Sequence, residues 1–127
     1  GRNVAPVAKI KQALTAAGHQ VPVVLAGGIY SYHQAEALLA AGGADVIALA
    51  RQALADPDWF EKVRTGYGDQ VVLCRYSNYC EGLDQKHKQV TCELWDRQKL
   101  DEPGVKLASD GKRRLTAPHW IPDLGNN

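Results

Sequence analysis

The sequence lacks both an excess of charge and a long apolar run. Its 15 Lys and Arg residues are balanced by 14 Asp and Glu residues, which leaves a net charge of +1 over 127 residues. Nucleic acids and anionic membranes attract strongly basic proteins, so we expect neither as a partner. The longest apolar stretch, residues 21–30, is interrupted by Pro22 and two glycines and is too short to cross a bilayer.

Cysteine is scarce and methionine is absent. Three cysteines are an odd number, which argues against a closed disulfide framework. No basic segment followed by an apolar run opens the chain, so nothing indicates a secretory signal. We therefore expect a reducing, cytoplasmic setting. Since the chain opens without methionine, we also expect a processed or truncated product.

Helix and strand patterns alternate through the first half of the chain. Apolar residues at helical spacing predict a helix over residues 6–17, with Gly18 as its stop. Residues 21–26 are continuously apolar and predict a strand covered on both faces. A helix is expected from Ser31, a second strand over residues 46–49 and a further helix from Asp56-Pro57. This order implies parallel strands joined by a right-handed crossover.

Two parallel strands cannot bury their own faces, so they need neighbours in a larger sheet or barrel. We predict an α/β fold in which residues 1–66 form the last two βα units of a TIM (β/α)8 barrel. Residues 67–127, which become polar towards their end, are predicted to form a cysteine-containing lobe and an irregular extension. The run Lys112-Arg113-Arg114 is expected to be solvated.

An anion site is predicted where the two strands end. Ala26-Gly27-Gly28 follows the first strand, and glycines allow backbone N–H groups to approach a phosphate closely. Ala50-Arg51 follows the second strand, and arginine presents a fork of donors matched to phosphate oxygens. The alternatives are a plain tight turn for the glycines and a surface salt bridge for Arg51. Parallel strands would bring both features to one edge, where barrel enzymes often bind phosphate.

A second group of residues could in principle bind zinc. Its members are soft ligands spread over the polar half of the chain, namely Cys74, Cys80, His87 and Cys92. Their spacing is loose and contains no C-x-x-C pair, so they are weak candidates. The alternative is three reduced thiols in a packed lobe, with the histidine in solvent.

Four segments together resemble the carboxyl-terminal part of the Old Yellow Enzyme family. These are Pro22-Val-Val-Leu-Ala-Gly-Gly-Ile29, Gln34-Ala-Glu-Ala-Leu-Leu39, Gly43-Ala-Asp-Val-Ile-Ala-Leu-Ala-Arg51 and Leu54-Ala-Asp-Pro-Asp-Trp59. The last segment is the most discriminating, since other phosphate-binding barrels share the double glycine without it. The nearer branch is the one that contains 2,4-dienoyl-CoA reductase and trimethylamine dehydrogenase.

The resemblance implies a flavin-binding barrel that passes hydride from NAD(P)H through FMN to an activated alkene or a related acceptor. It also implies that Ala26, Gly27, Gly28, Ala50 and Arg51 hold the FMN phosphate. The family usually has glycine before the arginine, where this chain has Ala50. In this branch four cysteines hold an iron–sulfur cluster; here Ser77 replaces one of them, so we expect no cluster.

The family's substrate-binding and catalytic residues lie on earlier strands and have no counterpart in this sequence. The chain is therefore expected to supply the phosphate end of an FMN site and to be inactive alone. Its expected partner is the amino-terminal part of the barrel, as a separate chain or a missing segment, and we expect an oligomer. Two alternatives stay open, a non-catalytic oligomerisation or interaction module and a zinc-stabilised lobe.

Overall fold

The computed structural model describes residues 1–125 and folds into two compact units. The first unit is Gly1–Gln52, and the second begins at Ala53. Elements of the first unit, in chain order, are α1 (Val4–Ala16), β1 (Val24–Ala26), α2 (Tyr32–Ala40), β2 (Val46–Ala48) and the start of α3 (Arg51–Ala55). The predicted order of helix, strand, helix and strand is therefore confirmed, whereas α3 was not predicted.

The two strands pair in parallel, with Val24 opposite Val46, Leu25 opposite Ile47 and Ala26 opposite Ala48. Leu25 is buried, whereas Val24 is 52% exposed and Val46 is 47% exposed. The strands are shorter than predicted, and the expectation that the first would be covered on both faces is wrong for the described residues. Among the described residues, only the face that carries Leu25 is covered.

Helices α1 and α2 end as their glycines predict. After α1, the Gly18 N–H donates to the Thr15 carbonyl (3.0 Å) and the His19 N–H donates to the Leu14 carbonyl (2.9 Å). Gly18 has φ of 82°, the left-handed conformation that such a C-terminal motif requires. The same pair of bonds ends α2, where Gly42 has φ of 69°. These stops return the chain promptly to the next strand.

The second unit contains α4 (Trp59–Arg64), a 3-10 turn (Gly68–Gln70) and α5 (Tyr79–Asp84). Helix α4 begins later than predicted, because the Asp56 carboxylate accepts the Asp58 N–H and holds a bend before the helix (3.1 Å). Ala55, Cys92 and Trp95 form the core of this unit. No helix or strand follows α5 within the described residues.

Two arginines of the run expected to be solvated are buried, which corrects that prediction. Arg114 is 2% exposed and Arg113 is 5% exposed. The Arg114 guanidinium donates to the carbonyls of Thr116 (2.6 Å) and Gln98 (3.0 Å) and lies 3.2 Å from the Glu102 carboxylate. Arginine is buried here because its several donors each meet an acceptor from the surrounding loops.

No helix in the described residues is long and apolar enough to cross a membrane.

Candidate functional site: the carboxyl edge of the parallel pair

Parallel pairing brings the two predicted anion-binding segments to one edge of the sheet. Ala26 is the last residue of β1 and is paired with Ala48, the last residue of β2. The glycine turn, Gly27-Gly28, therefore leaves the same edge as the segment that leads to Arg51. The glycine turn and the segment that leads to Arg51 thus leave the sheet at the same edge.

The glycine turn adopts a conformation that other residues rarely accept. Gly27 has φ of 98° and Gly28 has φ of 72°. A β-carbon on Gly27 would lie 2.8 Å from Asn3 Nδ2, and one on Gly28 would lie 2.9 Å from the Gly1 Cα. Both glycines are therefore required by backbone conformation and by the close approach of the residues before α1.

Helix α2 begins directly after this turn and is capped as predicted. The Ser31 hydroxyl accepts the Gln34 N–H (3.2 Å). The Gln34 side chain reaches back, and its Oε1 accepts the Tyr30 N–H (3.4 Å). This is close to the reciprocal capping box that serine and glutamine three residues apart predict, shifted by one residue at the returning bond.

Ala50 replaces the family's usual glycine without backbone strain. The non-glycine residues with positive φ in the described part of the chain are Tyr76, Asn78, His87 and Lys99, and Ala50 is not among them. Arg51 is half-buried and is the first residue of α3. A methyl group at position 50 is therefore compatible with a backbone that leads from β2 into that helix.

An FMN phosphate fits the chemistry of these residues. It needs backbone N–H groups that can be approached closely and a cationic side chain. The positive-φ turn at Gly27 and Gly28 supplies the first, and Arg51 supplies the second from the neighbouring strand exit.

The cysteine lobe lies in the second unit. All three cysteines are free thiols; Cys92 is buried, and Cys74 and Cys80 are half-buried. Burial raises the pKa of the Cys92 thiol, and the nearby Cys74 and Cys80 raise it further. His87 lies in an exposed turn after α5. Among residues 1–125, no group of three or more His, Cys, Asp or Glu side chains could hold a metal ion.

An iron–sulfur cluster does not fit this donor set. Such a cluster is bound by four thiolates in this kind of site, and the lobe offers three thiols and the Ser77 hydroxyl. That hydroxyl already accepts the Tyr79 N–H (3.4 Å). A raised pKa at Cys92 also favours the thiol over the thiolate that binds metal.

A buried ion pair that the sequence did not predict lies beside a cavity of the second unit. Lys62 Nζ lies 2.6 Å from Asp56 Oδ2, and the two side chains are only 4% and 3% exposed. The cavity has a volume of about 530 Å³ and is bordered by Trp95 and Trp120. Lys62 also lies over the Trp120 ring, 5.4 Å from its centre. Helical spacing alone gives no signal for such a pair, because Asp56 precedes the helix.

Comparison with known proteins identifies a family for this chain. The model of the NADH:flavin oxidoreductase / NADH oxidase family matches residues 4–70, more than half of the chain. The matched region contains both strands, the glycine turn and Arg51.

Curated relatives include a reductase, a dehydrogenase and a synthase subunit. Bilirubin reductase of Mediterraneibacter gnavus is 31% identical over 108 residues, 84% of this chain and 16% of that protein. N,N-dimethylglycine/sarcosine dehydrogenase of Chromohalobacter salexigens is 30% identical over 97 residues, 74% of this chain and 14% of that protein. Imidazole glycerol phosphate synthase subunit HisF of Pasteurella multocida is 35% identical over 100 residues, 79% of this chain and 32% of that protein.

The described residues thus form a small α/β fold with a two-stranded parallel sheet. The chain belongs to the NADH:flavin oxidoreductase / NADH oxidase family, which confirms the resemblance to Old Yellow Enzymes at the level of the family. It spans less than one fifth of the length of the first two relatives.

Proposed function

We propose that this chain is the part of an FMN-dependent oxidoreductase that binds the FMN phosphate. The parallel register of β1 and β2 carries the proposal, because it brings the glycine turn and Arg51 to one edge. In this assignment the phosphate accepts backbone N–H groups around Ala26, Gly27, Gly28 and Ala50, and the Arg51 guanidinium neutralises its charge.

FMN, when bound, supplies the hydride transfer between NAD(P)H and the acceptor. The residues of this chain hold one end of it. The name of the HisF relative includes a phosphate compound, which supports a phosphate site on the shared segment. The dimethylglycine/sarcosine dehydrogenase relative supports the trimethylamine dehydrogenase-like branch. An activated alkene or a related molecule is the proposed acceptor.

The rest of a (β/α)8 barrel is the proposed partner. Val24 and Val46 lie opposite each other on the uncovered face of the sheet. A two-stranded sheet with one apolar face open is marginal in water and gains stability from further strands. Without those strands the chain is proposed to lack reductase activity. The three free thiols suit the reducing cytoplasm in which we place the protein.

The test compares FMN with riboflavin, which lacks the phosphate, in the flavin-binding holoprotein that contains this chain. Arg51→Ala should weaken FMN binding about tenfold or more, because a charged hydrogen bond to phosphate is lost, and should leave riboflavin binding unchanged. Arg51→Lys keeps the positive charge but loses the paired donors of the guanidinium. Its FMN affinity should therefore lie between those of wild type and Arg51→Ala. Arg75→Ala, at an exposed residue of the second unit, is the matched control.

Two results would contradict the proposal. The first is a wild-type protein that binds riboflavin as tightly as FMN. The second is an Arg51→Ala variant that binds FMN as tightly as wild type.

A non-catalytic oligomer-forming module is the second candidate, and the exposed Val24–Val46 pair favours it. It predicts a colourless oligomer that takes up no flavin when the rest of the barrel is added.

A further inference from the structure

Two side chains hold the glycine turn from opposite ends. Asn3, the residue before α1, donates from Nδ2 to the Ala26 carbonyl (2.8 Å). Gln34, in the first turn of α2, donates from Nε2 to the Gly28 carbonyl (3.3 Å). These carbonyls immediately precede and follow the Gly27–Gly28 peptide. Helix starts on both sides of β1 therefore fix the same short segment.

Fixing a carbonyl also fixes the N–H group of the same peptide. In a trans peptide the C=O and the N–H point in opposite directions across the plane. The Asn3 bond to the Ala26 carbonyl therefore aims the Gly27 N–H away from Asn3. By the same argument, the Gln34 bond to the Gly28 carbonyl aims the Ile29 N–H away from Gln34.

The residues before α1 also fill one side of the turn. Asn3 Nδ2 lies 2.8 Å from where a β-carbon of Gly27 would be, and the Gly1 Cα lies 2.9 Å from where one of Gly28 would be. A flip of the turn towards that side would collide with these atoms. An anion must therefore approach from the other side, towards which the Gly27 N–H is turned.

Gln34 connects the turn to the helix that follows it. While its Nε2 donates to the Gly28 carbonyl, its Oε1 accepts the Tyr30 N–H (3.4 Å). Its own N–H donates to the Ser31 hydroxyl (3.2 Å). One residue thus holds both the turn and the start of α2 in a single arrangement.

We infer that Asn3 and Gln34 are positioning residues that preorganise the glycine turn for the FMN phosphate. The inference rests on the proposed function. Neither side chain needs to touch the phosphate. Both act through the backbone, by holding the peptide groups in the orientation that the phosphate would otherwise have to impose on binding.

The test measures the ratio of FMN to riboflavin affinity in the flavin-binding holoprotein. Asn3→Ala and Gln34→Met each remove one donor to the turn, and each should lower that ratio about fivefold, the effect of one ordinary hydrogen bond. Gln34→Glu keeps the acceptor for the Tyr30 N–H but loses the donor to Gly28, so it should not restore the ratio. Gln12→Met, on the exposed side of α1, is the matched control.

The outcomes separate the inference from the proposed function. If Arg51→Ala lowers the ratio while Asn3→Ala and Gln34→Met leave it unchanged, the inference is overturned and the phosphate site stands. If the wild-type protein binds FMN and riboflavin equally tightly, both the inference and the proposed phosphate site are overturned. If Asn3→Ala weakens riboflavin as much as FMN, the side chain serves general folding and the inference is again overturned. A selective loss for FMN at both positions supports it.

Discussion

Among single residues, the buried charges of the second unit show most clearly how polar groups are accommodated. The Asp56 carboxylate accepts the N–H groups of Asp58 (3.1 Å) and Val72 (2.7 Å) besides its ion pair with Lys62 (2.6 Å). Each oxygen is thereby satisfied, which a buried carboxylate requires. The pair holds the bend before α4 against the segment that follows the 3-10 turn.

Removing Lys62 should strongly destabilise the protein. Lys62→Met leaves the Asp56 carboxylate buried without a counter-charge, and the expected loss is about 3–5 kcal/mol in the free energy of unfolding. Urea denaturation measures this. Arg64→Met is the matched control, because the Arg64–Glu61 pair is exposed and should have little effect. Equal stability of the two variants would contradict the prediction.

Tyr79 predicts a dependence of stability on alkaline pH. Its hydroxyl donates to Asp96 Oδ2 (2.7 Å), and this bond, with burial, raises the pKa of the Tyr79 phenol. The bond's stabilisation is fully present below the unfolded pKa of about 10 and is lost as pH rises through the higher folded pKa.

Tyr79→Phe should therefore cost about 1 kcal/mol at neutral pH and flatten the decline in stability above pH ~10. Denaturation curves across this range measure it. Because Asp96→Asn removes the carboxylate that raises the phenol's pKa, it should bring the folded pKa towards the unfolded value and reduce the alkaline decline as well. A Tyr79→Phe variant that keeps the wild-type alkaline decline would refute the assignment.

At the scale of elements, short-range chemistry made much of the fold predictable. The Ser31 cap and the glycine stops after α1 and α2 depend on neighbours close in sequence, and the parallel order of the strands follows from the alternation of strand and helix patterns. The buried roles of Asp56 and Arg114 could not be predicted, because Asp56 precedes the helix that carries Lys62 and the acceptors around Arg114 come from loops without a periodic pattern. Asn3 was missed because its partner is a backbone carbonyl 23 positions away, that of Ala26, and such an acceptor leaves no signal in the sequence.

Substitution by alanine should destabilise the protein to different extents at Gly42, after α2, and at Gly28, after β1. A β-carbon at Gly42 would have no atom within 4 Å. Gly42→Ala should therefore lower the free energy of unfolding only by the cost of the positive φ, about 1 kcal/mol. Gly28→Ala also places a β-carbon 2.9 Å from the Gly1 Cα, so it should lower the free energy of unfolding by more than Gly42→Ala does. Thermal denaturation of both variants measures the difference. Equal losses would mean that residues 1–3 do not press on the turn.

At the scale of the whole molecule, the open face of the sheet should govern association. Val24 and Val46 are side by side and about half exposed. Changing both to threonine keeps the β-branched shape and removes apolar surface, so self-association of the chain should weaken about tenfold. Sedimentation equilibrium measures this. A double variant with threonine at Val72 and Val90, which are exposed outside the sheet, should associate as wild type does.

The contact between the start of the chain and the glycine turn has a practical consequence. Gly1 and Asn3 contact the turn at both glycines. A fluorescent dye attached at Arg2 would therefore lie close to a flavin phosphate held by that turn. Quenching of such a dye could follow cofactor loading in real time.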